Sequence, residues 1–227
     1  MAKIYVEEKN RERVENYLKS VDLNYSFEKD FTENEDLKGF DYVSSINLYV
    51  AKEKKLYGKN WYESHKELQK EGEKMLTTLE FIEYLKYVKV NNKDIYDEIT
   101  KVKNPWRAEW LDADFKVKNG ELYVNYNHIF DGNGKLVKCD SEVLDKNTLM
   151  KDKTPGISLE DYLEKNHTSQ GFPNKEVKSG DLCYWFPRRD NNSVVRFLAF
   201  EDRAFLYCDR YPSRRGGYLG VRAARRE

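Results

Sequence analysis

The 49 residues from position 179 to position 227 differ in composition from the rest of the chain. They contain ten Arg and no Lys, whereas the first 178 residues contain 27 Lys and three Arg. The same 49 residues include nine aromatic side chains. Guanidinium groups form bidentate and stacking contacts, and aromatic rings provide contact area with few torsions to immobilise. This combination predicts a recognition surface near the C-terminus.

Side chains that could catalyse a reaction or bind a metal are few. The histidines and cysteines are His65, His128, His167, Cys139, Cys183 and Cys208. The histidines are far apart and show no His-x-x-x-His spacing, and the cysteines include no Cys-x-x-Cys pair. We therefore expect buried reduced thiols, no metal ligands and no cofactor, while a bridge between Cys183 and Cys208 stays open.

The charge balance argues against a nucleic-acid partner, which stays a minor alternative. There are 30 basic and 34 acidic residues before position 179, and ten basic and six acidic residues after it. Nucleic-acid-binding surfaces usually show a dense basic stripe, whereas these arginines are interspersed with acids and aromatics. No apolar run could cross a bilayer, and the N-terminus lacks the apolar core of a secretory signal. We expect a soluble chain made in the cytoplasm, without membrane insertion; display on a virion or a cell surface stays open.

Hydrophobic periodicity divides the chain into an extension and a domain. Residues 4–20 carry apolar side chains at helical spacing, so residues 1–39 predict a helical N-terminal extension. The domain, residues 40–227, opens with an alternating pattern that predicts a strand in residues 41–52. Two helices follow, the first over residues 61–75. The second begins at Thr77, where Glu80 completes a capping box.

The second half of the chain is predicted to be mainly β-structure. Hairpin turns are expected at residues 118–120 and 131–134, where Asn-Gly and Asp-Gly tolerate positive φ. A short helix capped by Ser158 follows. In residues 204–211 the small or apolar even-numbered side chains are expected to face the core, and the aromatic or acidic odd-numbered ones to face outward. Residues 195–200 alternate in the same way, so one of their two sets is expected to face solvent.

Three segments near the C-terminus carry distinctive motifs. They are residues 192–197 (Asn-Ser-Val-Val-Arg-Phe), 208–213 (Cys-Asp-Arg-Tyr-Pro-Ser) and 219–225 (Leu-Gly-Val-Arg-Ala-Ala-Arg). Together with residues 59–63 and 75–81, which resemble two opening helices, they resemble the variable proteins of diversity-generating retroelements. The resemblance implies an α+β C-type lectin-like fold, related to formylglycine-generating enzymes, in which short helices pack on small antiparallel sheets.

The same resemblance implies that mutagenesis directed at adenines rewrites Asn codons in a variable region of about residues 184–219. Such changes yield Phe, Tyr, Leu, Arg, Asp or Gly, but never Lys, Glu, Gln, Met or Trp. Residues 186–226 contain no Lys, Gln, Met or Trp and one Glu, in agreement with this process. Glu201 is therefore not expected at a rewritten codon, and Trp185 is expected on the fixed scaffold.

The predicted ligand-binding residues combine an outward position with a residue type that this process can produce. They are Phe186, Arg188, Arg189, Asp190, Leu198, Phe200, Asp202, Phe205, Tyr207, Asp209, Tyr211, Arg214 and Tyr218. We expect them to form the hypervariable exposed surface of a non-catalytic recognition protein. Its expected ligand is a protein or a cell-surface epitope, and a few anchors would dominate the binding energy. The chain is expected to be a monomer.

Other functions fit the sequence less well. Oxidases related to the lectin-like family employ cysteines, but no acid or base accompanies Cys183 or Cys208 in the sequence, so the chain is not expected to be an enzyme. Calcium-dependent sugar binding is disfavoured because the motifs Glu-Pro-Asn, Gln-Pro-Asp and Trp-Asn-Asp are missing. The runner-up is a structural or assembly protein, a viral or surface component, whose aromatic residues form an oligomer interface.

Overall fold

The computed structural model describes residues 37–101, 107–200 and 203–226, together with Val14, Asn16 and Tyr17, which are helical. The chain divides into two compact units, Met1–Lys38 and Gly39–Glu227. The predicted helix of residues 4–20 lies almost entirely outside the described residues. All elements named below belong to the second unit.

Strands account for 42% of the structure and helices for 23%. The strands β1 to β11 are Phe40–Val43, Leu48–Lys55, Lys74–Met75, Arg107–Lys118, Glu121–Phe130, Leu136–Val143, Lys153–Ile157, Leu182–Trp185, Ser193–Phe200, Arg203–Arg210 and Leu219–Arg225. The helices α1 to α4 are Trp61–Lys70, Thr78–Asn91, Lys93–Lys101 and Leu159–Glu164. Within the described ranges, no helix is long and apolar enough to span a membrane.

The strands form one mixed sheet of eleven strands. Its main path is β1-β2-β11-β4-β9-β10-β8-β7, with β3 beside β11 and the β5–β6 hairpin attached to β4. Strand β11 runs parallel to β4, and β10 runs parallel to β8. The predicted α+β C-type lectin-like fold, with short helices on small antiparallel sheets, is therefore wrong. Long-range parallel pairing joins what would be separate hairpins into a single large sheet.

Strand β9 lies inside this sheet, between β4 and β10. Val195 and Phe197 belong to the main apolar cluster on one side, whereas Val194 and Leu198 belong to a second apolar cluster. The prediction that one alternating set of β9 faces solvent is therefore wrong, because only Phe200 at its end is exposed. A strand covered on both faces shows no difference in exposure between its two sets of side chains.

Local sequence signals place the helix starts correctly. The Thr77 hydroxyl accepts a hydrogen bond from the backbone N–H of Glu80 at 3.2 Å, and the Glu80 carboxylate accepts one from the Thr77 N–H at 2.8 Å. This confirms the predicted capping box at the start of α2. Ser158 caps α4 by accepting from the Asp161 N–H, also as predicted.

The turns and the end of α1 follow from backbone geometry. Asn119 and Gly120 both have positive φ, at 53° and 83°, and they connect β4 to β5 as the predicted hairpin. The predicted helix over residues 61–75 is too long, since α1 ends at Lys70. Gly72 then adopts a φ of 71°, which favours glycine, and the chain turns into β3, which pairs with β11.

Candidate functional site

Strand β10 has two different faces. Ala204, Leu206 and Cys208 are buried in the main apolar cluster. Phe205 and Tyr207, which lie between them, are half-buried on the opposite side. The alternation predicted for this strand is therefore present: it separates fully buried side chains from half-buried ones that pack against the second apolar cluster.

Four aromatic rings meet on this opposite side, and we call them the aromatic face: Trp185, Phe200, Phe205 and Tyr207. Because β10 runs parallel to β8, Tyr207 lies beside Trp185, and their ring centroids are 4.2 Å apart with planes inclined by 22°. Phe205 stacks at 5.9 Å from Trp185 and at 6.0 Å from Tyr207, and Phe200 meets Phe205 at 6.4 Å. Trp185, expected on the fixed scaffold, is thus the ring on which predicted variable rings stack.

Two arginines approach the ring of Tyr207. The guanidinium of Arg210 lies 4.2 Å from the ring centroid and that of Arg196 lies 4.9 Å from it, within cation–π range. Arg210 also donates two hydrogen bonds to Asp209, at 2.7 and 2.5 Å. Its charge is therefore balanced locally.

Arg196 differs from Arg210 because it is 4% exposed. Its Nε and Nη1 have no hydrogen-bond partner among the described residues. Burial lowers the pKa of Arg196, and the nearby charges of Arg210 and Arg214 act in the same direction. The aromatic face therefore covers a cation with unused hydrogen-bond donors.

More of the predicted residues lie in the loops that follow β8 and β10. The guanidinium of Arg188 lies 3.9 Å from the ring centroid of Tyr211, which is 50% exposed, and pairs with Asp190 at 2.7 Å. Arg214 donates to the hydroxyl of Tyr218 at 3.1 Å. These internal pairs confirm that several of the arginines are partnered within the protein and are not all available to a ligand.

Some predicted residues lie elsewhere. Leu198 is 4% exposed in the second apolar cluster, so a ligand could not contact it and we remove it from the candidate surface. Phe186 packs against the main apolar cluster and is half-buried. Arg189 is exposed and donates to the Gly120 carbonyl at 3.2 Å. Asp202 lies outside the described residues.

Two histidines that are distant in the sequence lie together in the interior. His65 Nε2 on α1 lies 3.4 Å from Asp112 Oδ1 on β4, and His128 Nδ1 on β5 lies 2.5 Å from the same oxygen. Burial lowers the pKa of His65 to about 4. Burial alone would also lower the pKa of His128, but the neighbouring carboxylates of Asp112 and Asp114 raise it to about 9. The spacing of the histidines in the sequence does not predict this cluster. The two acids at alternate positions of the buried strand β4, Asp112 and Asp114, were a signal for it.

The cysteines are thiols in the structure. Cys183 and Cys208 are buried and do not form the bridge that the sequence left open. Burial raises the pKa of Cys208 well above its usual range. A protonated buried thiol is a poor nucleophile.

A cleft of about 420 Å³ lies at the start of α2. Thr77, Glu80 and Glu83 border it from the helix side, and Tyr126 and Glu142 border it from the β5–β6 hairpin. None of the described residues that the sequence predicted to bind a ligand lines this cleft. The candidate recognition surface is therefore a sheet face and not a pocket.

The segments that resemble retroelement variable proteins lie on neighbouring parts of the sheet. Residues 192–197 begin β9, residues 208–213 end β10, and Leu219–Arg225 is β11. The resemblance depends on these motifs and on residues 59–63 and 75–81. No family model, no curated protein and no solved structure matches the chain.

Proposed function

We propose that the chain is a non-catalytic recognition protein that presents variable side chains on a fixed sheet, diversified by adenine-directed mutagenesis. The observation that carries this proposal is the division of β10 into buried Ala204, Leu206 and Cys208 and half-buried Phe205 and Tyr207. A position can vary without loss of folding only if its side chain is not required by the core. On β10 the half-buried positions 205 and 207 pack at the second apolar cluster without being among its buried members, which supports variation there.

The residue types on the aromatic face support the same proposal. Phe200, Phe205 and Tyr207 can all arise from an Asn codon by changes at adenines, whereas Trp185 cannot. Trp185 is nevertheless the ring that contacts Phe205 and Tyr207. A fixed tryptophan would give successive aromatic or arginine side chains a common platform on which to stack.

The buried positive charge of Arg196 supports the proposal that the ligand carries an anionic group. The guanidinium is only 4% exposed, so an anionic group of a ligand would interact with its charge through the covering rings and would not contact its donors directly. Arg210 and Tyr207 lie beside it, and the carboxylate of Asp209 is already engaged by Arg210. We infer a protein or cell-surface epitope with an acidic side chain among apolar ones.

The gene itself provides the most direct test. We expect a nearby reverse transcriptase gene and an imperfect repeat of the codons for about residues 184–219, differing from them at adenines. The differences should fall on codons such as those of Phe205, Tyr207 and Tyr211, and not on those of Leu206 or Trp185. A locus without such a repeat, or differences spread equally over core codons, would refute the diversification.

Binding can be tested separately with a phage-displayed library of random peptides as the probe. The folded chain should enrich peptides that combine acidic and aromatic residues, and Phe205→Ser with Tyr211→Ser should reduce the enrichment. The control is Val137→Ser, an exposed apolar side chain on β6. Equal enrichment by all three proteins would contradict the assignment of the surface.

A second function, assembly, is favoured by a different observation. Strand β6 pairs only with β5 within the described sheet, and its Leu136, Val137 and Val143 are exposed. An edge strand with exposed apolar side chains is suited to pairing with another chain. A stable oligomer in solution that Val137→Lys dissociates would favour assembly, whereas a monomer would favour recognition.

A further inference from the structure

The interior beneath α1 contains a compact group of metal-ligating side chains. His65, Asp112 and His128 are all buried, and one ligand atom from each lies within 4.8 Å of the others. They come from α1, β4 and β5. The ring of Trp61 packs edge-on against both imidazoles, with centroid distances of 4.3 and 4.9 Å, and separates them from solvent on that side.

The hydrogen bonds within this group leave buried nitrogens unsatisfied. Asp112 accepts from the backbone N–H of His128 at 3.2 Å and contacts its Nδ1 at 2.5 Å. His65 Nε2 and His128 Nε2 have no hydrogen-bond partner among the described residues. Unpaired polar atoms in the interior are unfavourable and rare. His65 Nε2 nevertheless faces the Asp112 carboxylate at 3.4 Å.

We propose that His65 Nε2, Asp112 and His128 Nδ1 bind one divalent transition-metal ion, with Zn²⁺ as the preferred ion. Two imidazoles and a carboxylate are donors typical of Zn²⁺, whereas Ca²⁺ and Mg²⁺ require oxygen donors. The ligands of a tetrahedral zinc ion lie about 3.3–3.5 Å apart. The distance between His65 Nε2 and Asp112 Oδ1 already has this value.

One contact must open when the ion binds. His128 Nδ1 and Asp112 Oδ1 are at hydrogen-bond distance, 2.5 Å, and a metal ion would replace the proton that joins them. Both atoms would then separate by roughly 1 Å to reach the spacing of zinc ligands. Asp114 is already paired with Lys116 at 3.1 Å, so the carboxylate charge available to a divalent cation is that of Asp112.

Asp114 and Asn125 are suited to orient the His128 ring. Asp114 Oδ1 lies 3.4 Å from His128 Nε2, the nitrogen that does not face Asp112, and accepts from Asn125 Nδ2 at 2.6 Å. A carboxylate on the outer nitrogen of a metal-binding histidine fixes its tautomer and ring orientation. Asp114 is therefore a positioning residue and not a ligand.

Neighbouring hydrogen bonds hold the three elements together around the site. Gln69 on α1 donates to the His128 carbonyl at 2.7 Å and accepts from the Phe130 N–H at 2.9 Å. The indole N–H of Trp61 donates to the Leu111 carbonyl at 2.9 Å. An ion at the site would join α1 to β4 and β5 and would stabilise the domain.

The test uses the full chain after dialysis against a chelator, with Co²⁺ and Zn²⁺ as the probes. We expect one Co²⁺ per chain with visible ligand-field absorption, displaced by one Zn²⁺. Zn²⁺ should also raise the melting temperature. His65→Gln should abolish the absorption, and His167→Gln, which changes a histidine that contacts the Tyr162 carbonyl instead, should retain it. Absorption that persists in His65→Gln, or no uptake by the unaltered chain, would overturn the proposal.

A second variant keeps the test informative if His65→Gln does not fold. Asp114→Asn leaves all three ligands in place and should weaken Zn²⁺ affinity about 10–100-fold. A merely structural role of Asp114 would change the melting temperature without changing the affinity. Unchanged Zn²⁺ affinity in a folded Asp114→Asn variant would refute its positioning role, and a melting temperature of the unaltered chain that does not respond to Zn²⁺ would refute the site.

Discussion

Two neighbouring positions of β10 provide the sharpest test of whether this strand presents variable side chains. We expect Phe205→Asp to give a folded protein and Leu206→Asp to give an unfolded one. Aspartate is the appropriate replacement because it can arise from an Asn codon by a change at an adenine. Its charge also makes the substitution strongly destabilising where the position is closed to water and only mildly destabilising where water can reach it.

The two changes should differ by several kcal/mol. Loss of the buried Leu206 side chain costs about 2–5 kcal/mol, and an unpaired buried carboxylate adds several kcal/mol. Their sum is comparable with the total stability of a domain, about 5–15 kcal/mol. Phe205 stacks on Trp185, and its replacement removes about 0.5–1.5 kcal/mol of ring stacking. Because it is half-buried, it also loses about half of the roughly 1.5–3 kcal/mol of a fully buried Phe.

The free energy of unfolding of both variants is measured by urea denaturation, with far-ultraviolet circular dichroism as the signal. Tryptophan emission is less suitable because it would respond to the loss of the ring beside Trp185. Leu206→Ala is the matched control, since it shortens the core side chain without adding charge, and it should lie between the two aspartate variants. If Phe205→Asp lost as much stability as Leu206→Asp, the aromatic face would be core and the display proposal would be refuted.

Three further outcomes are expected. Arg222→Ala should lower the free energy of unfolding by about 3–5 kcal/mol in urea, because it removes the guanidinium that bonds to the buried Glu109 and to the Ala51 carbonyl and leaves only Lys54, at 3.7 Å, beside that carboxylate; a loss under about 1 kcal/mol would contradict this. Arg196→Met should leave the free energy of unfolding unchanged or raise it by about 1–4 kcal/mol while reducing capture of acidic peptides, and a large loss of stability would show that the guanidinium is bound within the protein. A thiol-specific disulfide reagent should modify the half-buried Cys139 in the folded chain and Cys208 only after unfolding, since burial raises the pKa of Cys208; rapid modification of Cys208 would contradict its core position.

The features that could be predicted from the sequence are those that depend on neighbouring residues. The capping box of Thr77 and Glu80 and the turn at Asn119 and Gly120 each require only a few adjacent positions. The predicted helix extends too far because Met75 continues the helical spacing of Trp61 and Leu68, while Gly72 and the pairing of β3 with β11 determine the actual path. Local pattern cannot reveal a partner that lies more than a hundred residues away.

The arrangement of the sheet depends on such distant partners. The parallel pairs β8–β10 and β4–β11 are formed by strands that are not consecutive in the chain. Antiparallel pairing with β4 and β10 places β9 inside the same sheet, and the two apolar clusters cover its two faces. For this reason the alternation in β10 predicted exposure correctly, whereas the same alternation in β9 did not, and Leu198 proved to be a core residue.

The histidine cluster likewise could not be predicted from local sequence patterns. His65, Asp112 and His128 come from a helix and two strands, so no spacing motif connects them. What the sequence did contain was a pair of acids, Asp112 and Asp114, in a strand whose neighbours are largely apolar. Buried acids require compensating partners, and the search for those partners would have led to the histidines.

The position of β9 also limits where variation can occur. Both faces of β9 support apolar clusters, so a template with an Asn codon at position 198 would produce chains with polar or charged side chains in the second cluster. Phe205 and Tyr207 on β10 pack against the same cluster, but they are half-buried and stack on Trp185, so their replacement leaves the buried members of the cluster in place. If the repeat exists, its Asn codons should therefore occur at positions 205 and 207 and be absent at position 198. An Asn codon at 198 in the repeat would show that the second cluster tolerates variation and that the division between core and display drawn from burial is incorrect.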